Sequence, residues 1–303
     1  MNDVVLSMDR LTKSYGSRRA VNGLDLEVAR GEVFGFLGPN GAGKTTTIRM
    51  CLGLIRPSAG RALVLGRDVA RHGAVVLPRV GALIESPALY GYMSGRANLL
   101  CFADTLCGVP RGRIDEVLEL VDLRDRQRDR VRTYSMGMKQ RLGLAVALLH
   151  DPELLILDEP ANGLDPAGIV EMRSLLRRLA SEGKTVFVSS HVLAEVQHTC
   201  DRVGILNLGE LISVAPVGEL LGSSGEFEVR VANPVEALRA IQRQSWGRTA
   251  RAMDGVVMTA SPSGRGRELT EFLVGAGFTP DAVTERAQDL EEVFLQLTGG
   301  ERR

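Results

Sequence analysis

One stretch constrains this chain more than any other: Gly38-Pro39-Asn40-Gly41-Ala42-Gly43-Lys44-Thr45-Thr46. It satisfies the pattern G-x-x-x-x-G-K-[ST]. The run Glu32-Val33-Phe34-Gly35-Phe36-Leu37 before it reads as a buried strand, and Thr46 to Leu54 after it reads as a helix. A strand that turns through glycines into a helix can wrap its backbone around phosphates, with successive N–H groups and the helix N-terminus facing the anion. Gly38 through Thr46 therefore form a candidate nucleotide cradle. In it Lys44 reaches β- and γ-phosphate oxygens, and the Thr45 hydroxyl ligates Mg²⁺. The unit predicts an α/β fold built around a phosphate-binding loop.

A chain of 303 residues can hold one large domain or two moderate ones. Its 37 basic and 37 acidic residues cancel, so no strong overall field draws it to nucleic acid or anionic lipid. No segment approaches the roughly 20 apolar residues that span a bilayer. Met1-Asn2-Asp3-Val4-Val5 lacks the basic region and apolar core of a signal peptide. Cys51, Cys101, Cys107 and Cys200 form no C-x-x-C pair, and reduced thiols in a cytosolic protein are the expectation.

Val4 to Met8 and Leu24 to Val28 read as strands, with a turn at Tyr15-Gly16-Ser17. Ala62 to Leu65 and Val80 to Ile84 follow as strands. From Ser94 to His150 the apolar spacing becomes helical, as in Ile114, Val117, Leu118 and Val121. Leu154 to Leu157 is a buried parallel strand by composition. Ala167 to Ala180 and Val192 to Cys200 read as helices around a strand at Thr185 to Ser189. Val203 to Asn207 and Leu211 to Val214 read as a closing hairpin. Gly222-Ser223-Ser224-Gly225 reads as a linker. Beyond it, strands at Phe227 to Val231 and Val256 to Ala260 alternate with helices at Pro234 to Gln242, Glu268 to Gly275 and Leu290 to Leu297. The Gly-Gly-Glu-Arg-Arg tail reads as disordered.

A second nucleotide-site element is Leu154-Leu155-Ile156-Leu157-Asp158-Glu159-Pro160. The apolar strand delivers Asp158 at its C-terminal end, where open α/β sheets bind ligands. With the glycine loop upstream, Asp158 is assigned to the Mg²⁺ shell and Glu159 to the attacking water as general base.

Taken together these motifs resemble the nucleotide-binding subunit of ATP-binding cassette (ABC) transporters over roughly residues 4 to 220. Tyr134-Ser135-Met136-Gly137-Met138-Lys139-Gln140-Arg141 aligns with that family's signature, usually L-S-G-G-Q-x-Q-R. Asn162-Gly163-Leu164-Asp165 aligns with its D-loop, His191 with its switch histidine, and Tyr15 with the aromatic that stacks on adenine. Met136 and Met138 depart from the usual glycine and glutamine, while Gly137 is kept. Glu85 stands where the family usually has a glutamine that ligates Mg²⁺ and links the site to the membrane partner. Leu83-Ile84-Glu85-Ser86-Pro87 is similar to the version in bacterial bacitracin and lantibiotic exporters.

The resemblance implies an ABC-type ATPase at residues 1–221 with a helical subdomain at about 92–150, and a small α+β accessory domain at 222–303. It implies ATP and Mg²⁺ as ligands. Tyr15, the loop Gly38 to Thr46, Ser135, Gly137 and Asp165 would bind nucleotide. Thr45, Asp158 and Glu85 would hold the metal, and Lys44, Glu159 and His191 would serve catalysis. The signature of one protomer closes on the γ-phosphate of its partner, so a homodimer is implied, or a dimer with a paralogous ATPase. The expected setting is cytoplasmic, on the inner face of the membrane beside a separate permease, exporting a hydrophobic or antibiotic compound. The alternative is an ABC-type ATPase acting on nucleic acid or ribosomes. Those proteins usually carry two cassettes or an inserted coiled coil, and this chain shows neither, nor a basic patch.

Overall fold

The computed structural model describes residues 3–297 apart from Cys107, Asp254, Gln288 and Asp289. The chain divides into two compact units, Met1–Val217 with the segment beginning at Phe294, and Gly218–Val293.

The first unit opens with the strands β1 (Val4–Tyr15) and β2 (Arg18–Ala29), joined by the tight turn at Gly16-Ser17. Both run several residues further than their apolar cores suggest, because antiparallel pairing extends to Tyr15 opposite Arg18. Next come β3 (Val33–Leu37), α1 (Lys44–Cys51), β4 (Ala59–Val64), β5 (Arg67–Asp68), α2 (Val69–Val76) and β6 (Val80–Leu83). Three helices follow, α3 (Gly95–Thr105), α4 (Arg111–Leu120) and α5 (Met136–Leu148), before the chain returns as β7 (Leu154–Asp158). The unit continues with α6 (Pro166–Ser181), β8 (Thr185–Ser190), α7 (Leu193–Thr199), β9 (Arg202–Asn207) and β10 (Glu210–Pro216).

Two sheets result. One is antiparallel, in the order β2-β1-β4-β5; the other runs β10-β9-β3-β8-β7-β6, parallel except for the β9–β10 hairpin. Every residue of β3, β7 and β8 is buried, which accounts for their unbroken apolar runs. Phe187 of β8 lies between Phe34 and Phe36 of β3, with ring centroids 5.8 and 5.3 Å away. The register sets Leu37 beside Ser190 and Asp158 beside Ser189, so the polar residues that end β7 and β8 emerge together next to the glycine loop after β3. Leu154–Asp158 thus places a carboxylate at the carboxyl edge of a parallel sheet, where such folds bind ligands.

The short helix α8 (Val217–Leu220) precedes β11 (Ser223–Val231), α9 (Pro234–Gln242), β12 (Arg251–Met253), β13 (Val256–Ala260), α10 (Gly266–Gly275), β14 (Pro280–Ala287) and α11 (Leu290–Leu297). The sheet of the second unit is wholly antiparallel, in the order β12-β13-β11-β14. Strand-helix-strand-strand-helix-strand with this order is the split βαβ plait. Its core joins Phe227, Val229 and Val257 to Ile241 of α9 and Leu269 and Leu273 of α10.

Gly222-Ser223-Ser224-Gly225 is not a linker: β11 begins at Ser223, which pairs with Ala287. Gly225, at φ 66°, sits where the register between Ser223 and Phe227 slips, and a glycine takes that irregular position at little cost. The helix after the loop starts at Lys44 rather than Thr46 and ends at Cys51, before Leu54. The tail expected to be disordered lies outside the described residues.

Candidate functional site

The loop between β3 and α1 needs its glycines. A Cβ on Gly38 would lie 2.4 Å from the Leu206 carbonyl oxygen, and one on Gly43 would lie 2.5 Å from that of Ala20. Gly43 also has φ 110°, a conformation closed to other residues. The loop is thereby pressed against its supporting strands, and Lys44 is left only 5% exposed. The ammonium of Lys44 donates to the carbonyl oxygens of Gly38 (2.7 Å) and Pro39 (3.3 Å) and stands 3.2 Å from Glu159 Oε1. A buried cation satisfied this way is held ready to exchange some of these oxygens for phosphate oxygens. A cleft of about 390 Å³ is lined by Tyr15, Arg18, Asn40, Lys44, Thr46 and Glu159 among others. Tyr15, at the tip of the first hairpin, is 52% exposed at its rim, with Lys13 Nζ 5.1 Å from its ring centroid.

Asp158 is 3% exposed and fully engaged: Oδ2 accepts from the Thr45 hydroxyl at 2.8 Å and Oδ1 from the Ser189 hydroxyl at 2.5 Å. Ser189 Oγ also accepts from the Glu159 N–H at 3.1 Å, so one hydroxyl ties the two neighbouring carboxylate residues together. Glu159 has φ 50°, a left-handed conformation rare for a residue with a Cβ, fixed by that bond and by its N–H to the Ser189 carbonyl. Its side chain bridges Lys44 and His191, with Oε1 3.2 Å from Lys44 Nζ and Oε2 2.9 Å from His191 Nδ1. The Glu195 carboxyl accepts from the Ser190 hydroxyl at 3.1 Å, and burial pushes it above the usual carboxylate range, with the Ser190 hydrogen bond and His191 opposing.

The Thr45 hydroxyl and Asp158 carboxylate, 2.8 Å apart, are hard oxygen donors of the kind Mg²⁺ takes. Among the described residues no group of three or more His, Cys, Asp or Glu side chains is placed to cage a metal. Two protein oxygens at the mouth of a phosphate cradle fit a Mg²⁺ that completes its shell with phosphate and water.

A neighbouring cleft of about 370 Å³ is walled by Thr45, Glu85, Met136, Gln140, Asp158 and Glu159 among others. Glu85, two residues beyond β6, faces it but also pairs with Arg49 Nη2 at 2.6 Å. Ser135 caps α5, accepting from the Met138 N–H at 3.2 Å, and Asp165 caps α6, accepting from the Gly168 N–H at 3.1 Å. The chain therefore gathers Tyr15, Asn40, Gly41, the run Gly43 to Thr46, Asp158, Glu159 and Glu85 around two adjoining clefts, while Gly38, Pro39 and Ala42 lie off their walls and His191 touches Glu159 without lining either. Ser135, Gly137 and Asp165 line neither cleft.

Two contributors escaped sequence reading. Ser189 was visible only as the polar end of an apolar strand, and Arg49 only as a basic residue in the last turn of α1. The paired serines closing Val186-Phe187-Val188 just before His191 were the one available signal for Ser189.

Comparison with known proteins agrees with the geometry. The sequence profile described as ABC transporter matches residues 21–162. The chain is 43% identical to the uncharacterized ABC transporter ATP-binding protein YhcH of Bacillus subtilis (strain 168), over 97% of this chain and 96% of that one. It is 40% identical to the bacitracin transport ATP-binding protein BcrA of Bacillus licheniformis, over 99% of each. Among solved structures, cbiO1 from Clostridium perfringens, part of the ABC transporter complex cbiONQ, superposes with a TM-score of 0.67 at 26% identity, covering 80% of this chain and 96% of its own. A glycine cradle, a hydroxyl–carboxylate pair and a glutamate beside a histidine, on a chain alike end to end to such proteins, make it a member of the ABC transporter ATP-binding protein family, an ATPase subunit of that kind.

Proposed function

We propose that two copies of this chain, or one copy and a paralogous ATPase, close around two ATP molecules and drive a separate membrane permease that exports a hydrophobic or peptide antibiotic. One observation carries this reading. The two clefts draw their lysine, metal donors and base from one chain; of the first turn of α5 only Met136 reaches a cleft wall, whereas the exposed caps Ser135 and Asp165 line neither cleft and are open to a second copy's nucleotide.

In this reading Tyr15 stacks on the base and the N–H groups from Gly38 to Thr46 hold the phosphates. Lys44 leaves Glu159 and the loop carbonyls for β- and γ-phosphate oxygens. Thr45 and Asp158 would hold Mg²⁺, with Glu85 facing it; the metal, when bound, offsets charge on the phosphate oxygens. Once Lys44 has left, Glu159 is free to take a proton from water. That water's oxygen forms a bond to the γ-phosphorus as the bond to the β–γ bridging oxygen breaks, and ADP carries away the electron pair. His191, anchored to Glu159, holds the γ-phosphate side. Ser135 and Gly137 of the partner subunit supply donors at the same phosphate, so ATP binds both halves only when they are closed.

The assignment of residues 1–221 to the ATPase with a helical subdomain at about 92–150, and of 222–303 to an accessory domain supporting the dimer, belongs to the same proposal. So does its place on the inner face of the membrane. Among the described residues no helix is long and apolar enough to cross a bilayer, and the proposal gives the path for cargo to a separate permease. The bacitracin transport name of a relative alike over 99% of its length supports an antibiotic cargo and lends nothing to a role on nucleic acid.

Ser135→Arg tests the shared site. It should keep ATP binding, since the cradle is untouched, and lose hydrolysis; full turnover by this variant refutes the proposal. For the cargo, cells lacking the chain should become more sensitive to bacitracin, and unchanged sensitivity would remove that antibiotic.

A further inference from the structure

Glu85 and Glu159 occupy matching places. Each follows one of two neighbouring parallel strands, β6 and β7, and each has a left-handed backbone, at φ 57° and 50°. A residue with a Cβ adopts that conformation only where its surroundings impose it. For Glu159 the surroundings are Ser189, Lys44 and His191. For Glu85 the partner is Arg49, whose Nη2 lies 2.6 Å from Oε1. Arg49 sits in the last turn of α1, the helix that begins with Lys44 and Thr45, and it is absent from the walls of both clefts. It grips the carboxylate from outside the cleft that Glu85 shares with Thr45, Asp158 and Glu159.

The side chains of Arg49 and Glu85 are 42% and 63% exposed, so their bond adds little to the stability of the fold. Its consequence is local. Glu85, Asp158 and Glu159 put three carboxylates around a cleft that must admit a triphosphate, with Lys44 as the buried cation beside them. A free Glu85 side chain could swing toward the phosphates and repel them. We propose that Arg49 is a positioning residue of the nucleotide site, holding the Glu85 carboxylate at the cleft wall so that a charged side chain can stand there without opposing ATP. This rests on the proposed placement of Glu85 facing the Mg²⁺ that Thr45 and Asp158 would hold.

The test is a double-mutant cycle in the full chain with Mg·ATP at low ionic strength, using Arg49→Met, Glu85→Gln and the pair. Arg49→Met should raise the KM for ATP about two- to fivefold, the scale of an exposed charge pair, with kcat nearly unchanged. Arg49→Lys, which keeps the cation, should recover most of the difference. On the Glu85→Gln background Arg49→Met should change nothing, and high salt should erase its effect in the parent. An equal rise in KM on both backgrounds, or no rise where Glu85 is present, overturns the proposal. Glu85→Gln should itself shift the Mg²⁺ concentration needed for hydrolysis. If that variant matches the parent in Mg²⁺ requirement and in KM, Glu85 leaves the site and the underlying assignment fails. A shifted Mg²⁺ requirement without coupling to Arg49 sinks the pairing alone.

Discussion

Replacing Glu159 by glutamine separates binding from chemistry, because the side chain serves both in opposite senses. Before ATP arrives its Oε1 lies 3.2 Å from Lys44 Nζ. Two unit charges at that distance attract by about 1.3 kcal/mol in a water-like medium and about 5 kcal/mol at the effective dielectric of a protein surface. Lys44 is buried and Glu159 is 21% exposed, so desolvation offsets much of this, leaving a net near 1 kcal/mol. ATP must displace that contact, and glutamine removes the charge while keeping the size, so Glu159→Gln should bind ATP roughly fivefold more tightly. Loss of a general base should lower turnover by about 10²–10⁴-fold. Tighter binding with stalled hydrolysis should accumulate a closed, ATP-loaded dimer. Equilibrium titration with a fluorescent ATP analogue reads the affinity, phosphate release reads the rate, and sedimentation reads the dimer. Turnover within tenfold of the parent would refute Glu159 as the base, and weaker ATP binding would refute the competition for Lys44.

Three further outcomes follow from neighbouring contacts. Ser189→Ala strands one oxygen of buried Asp158 and loosens Glu159, so it should cost about 1–2 kcal/mol of stability and about tenfold in hydrolysis; a parental melt and rate would contradict the bridging role. Phe187→Ala empties the space between Phe34 and Phe36 and should cost about 3–5 kcal/mol in denaturant titration, with a loss near zero contradicting the stacked core. Burial raises the Glu195 carboxyl, so the folded chain holds that proton more tightly than the unfolded one. The resulting stability is complete below the ordinary carboxylate pKa and is lost as pH rises through the raised value. Glu195→Gln cannot ionise and should flatten the fall in urea midpoint over that window; an unchanged slope would place Glu195 in water.

Much of the site could be read from the chain because its chemistry is local. Gly38 to Thr46 carries its glycines, lysine and hydroxyl within one turn. The run Leu154 to Asp158 declares a buried strand with a carboxylate at its end. The fold was less legible where pairing, rather than composition, decides the conformation. β14 has the sequence Pro-Asp-Ala-Val-Thr-Glu-Arg-Ala, with no apolar alternation to mark it, and is a strand because β11 pairs with it. The Gly-Ser run at 222–225 suggested a spacer and proved to open β11 for the same reason. The contacts of Ser189 with Asp158, and of Arg49 with Glu85, join residues 31 and 36 positions apart, and only the assembled sheet brings them together.

Mixing two disabled variants tests the shared site most directly. Lys44→Ala lacks a working cradle but keeps its Ser135–Gly137 cap; Ser135→Arg has the reverse. Each alone should be inactive. Equal mixing should make half the dimers mixed, each with one complete site, and so restore up to about a quarter of parental hydrolysis. A mixture no more active than its components, or a Ser135→Arg protein that hydrolyses ATP at full rate as a monomer, would contradict the account.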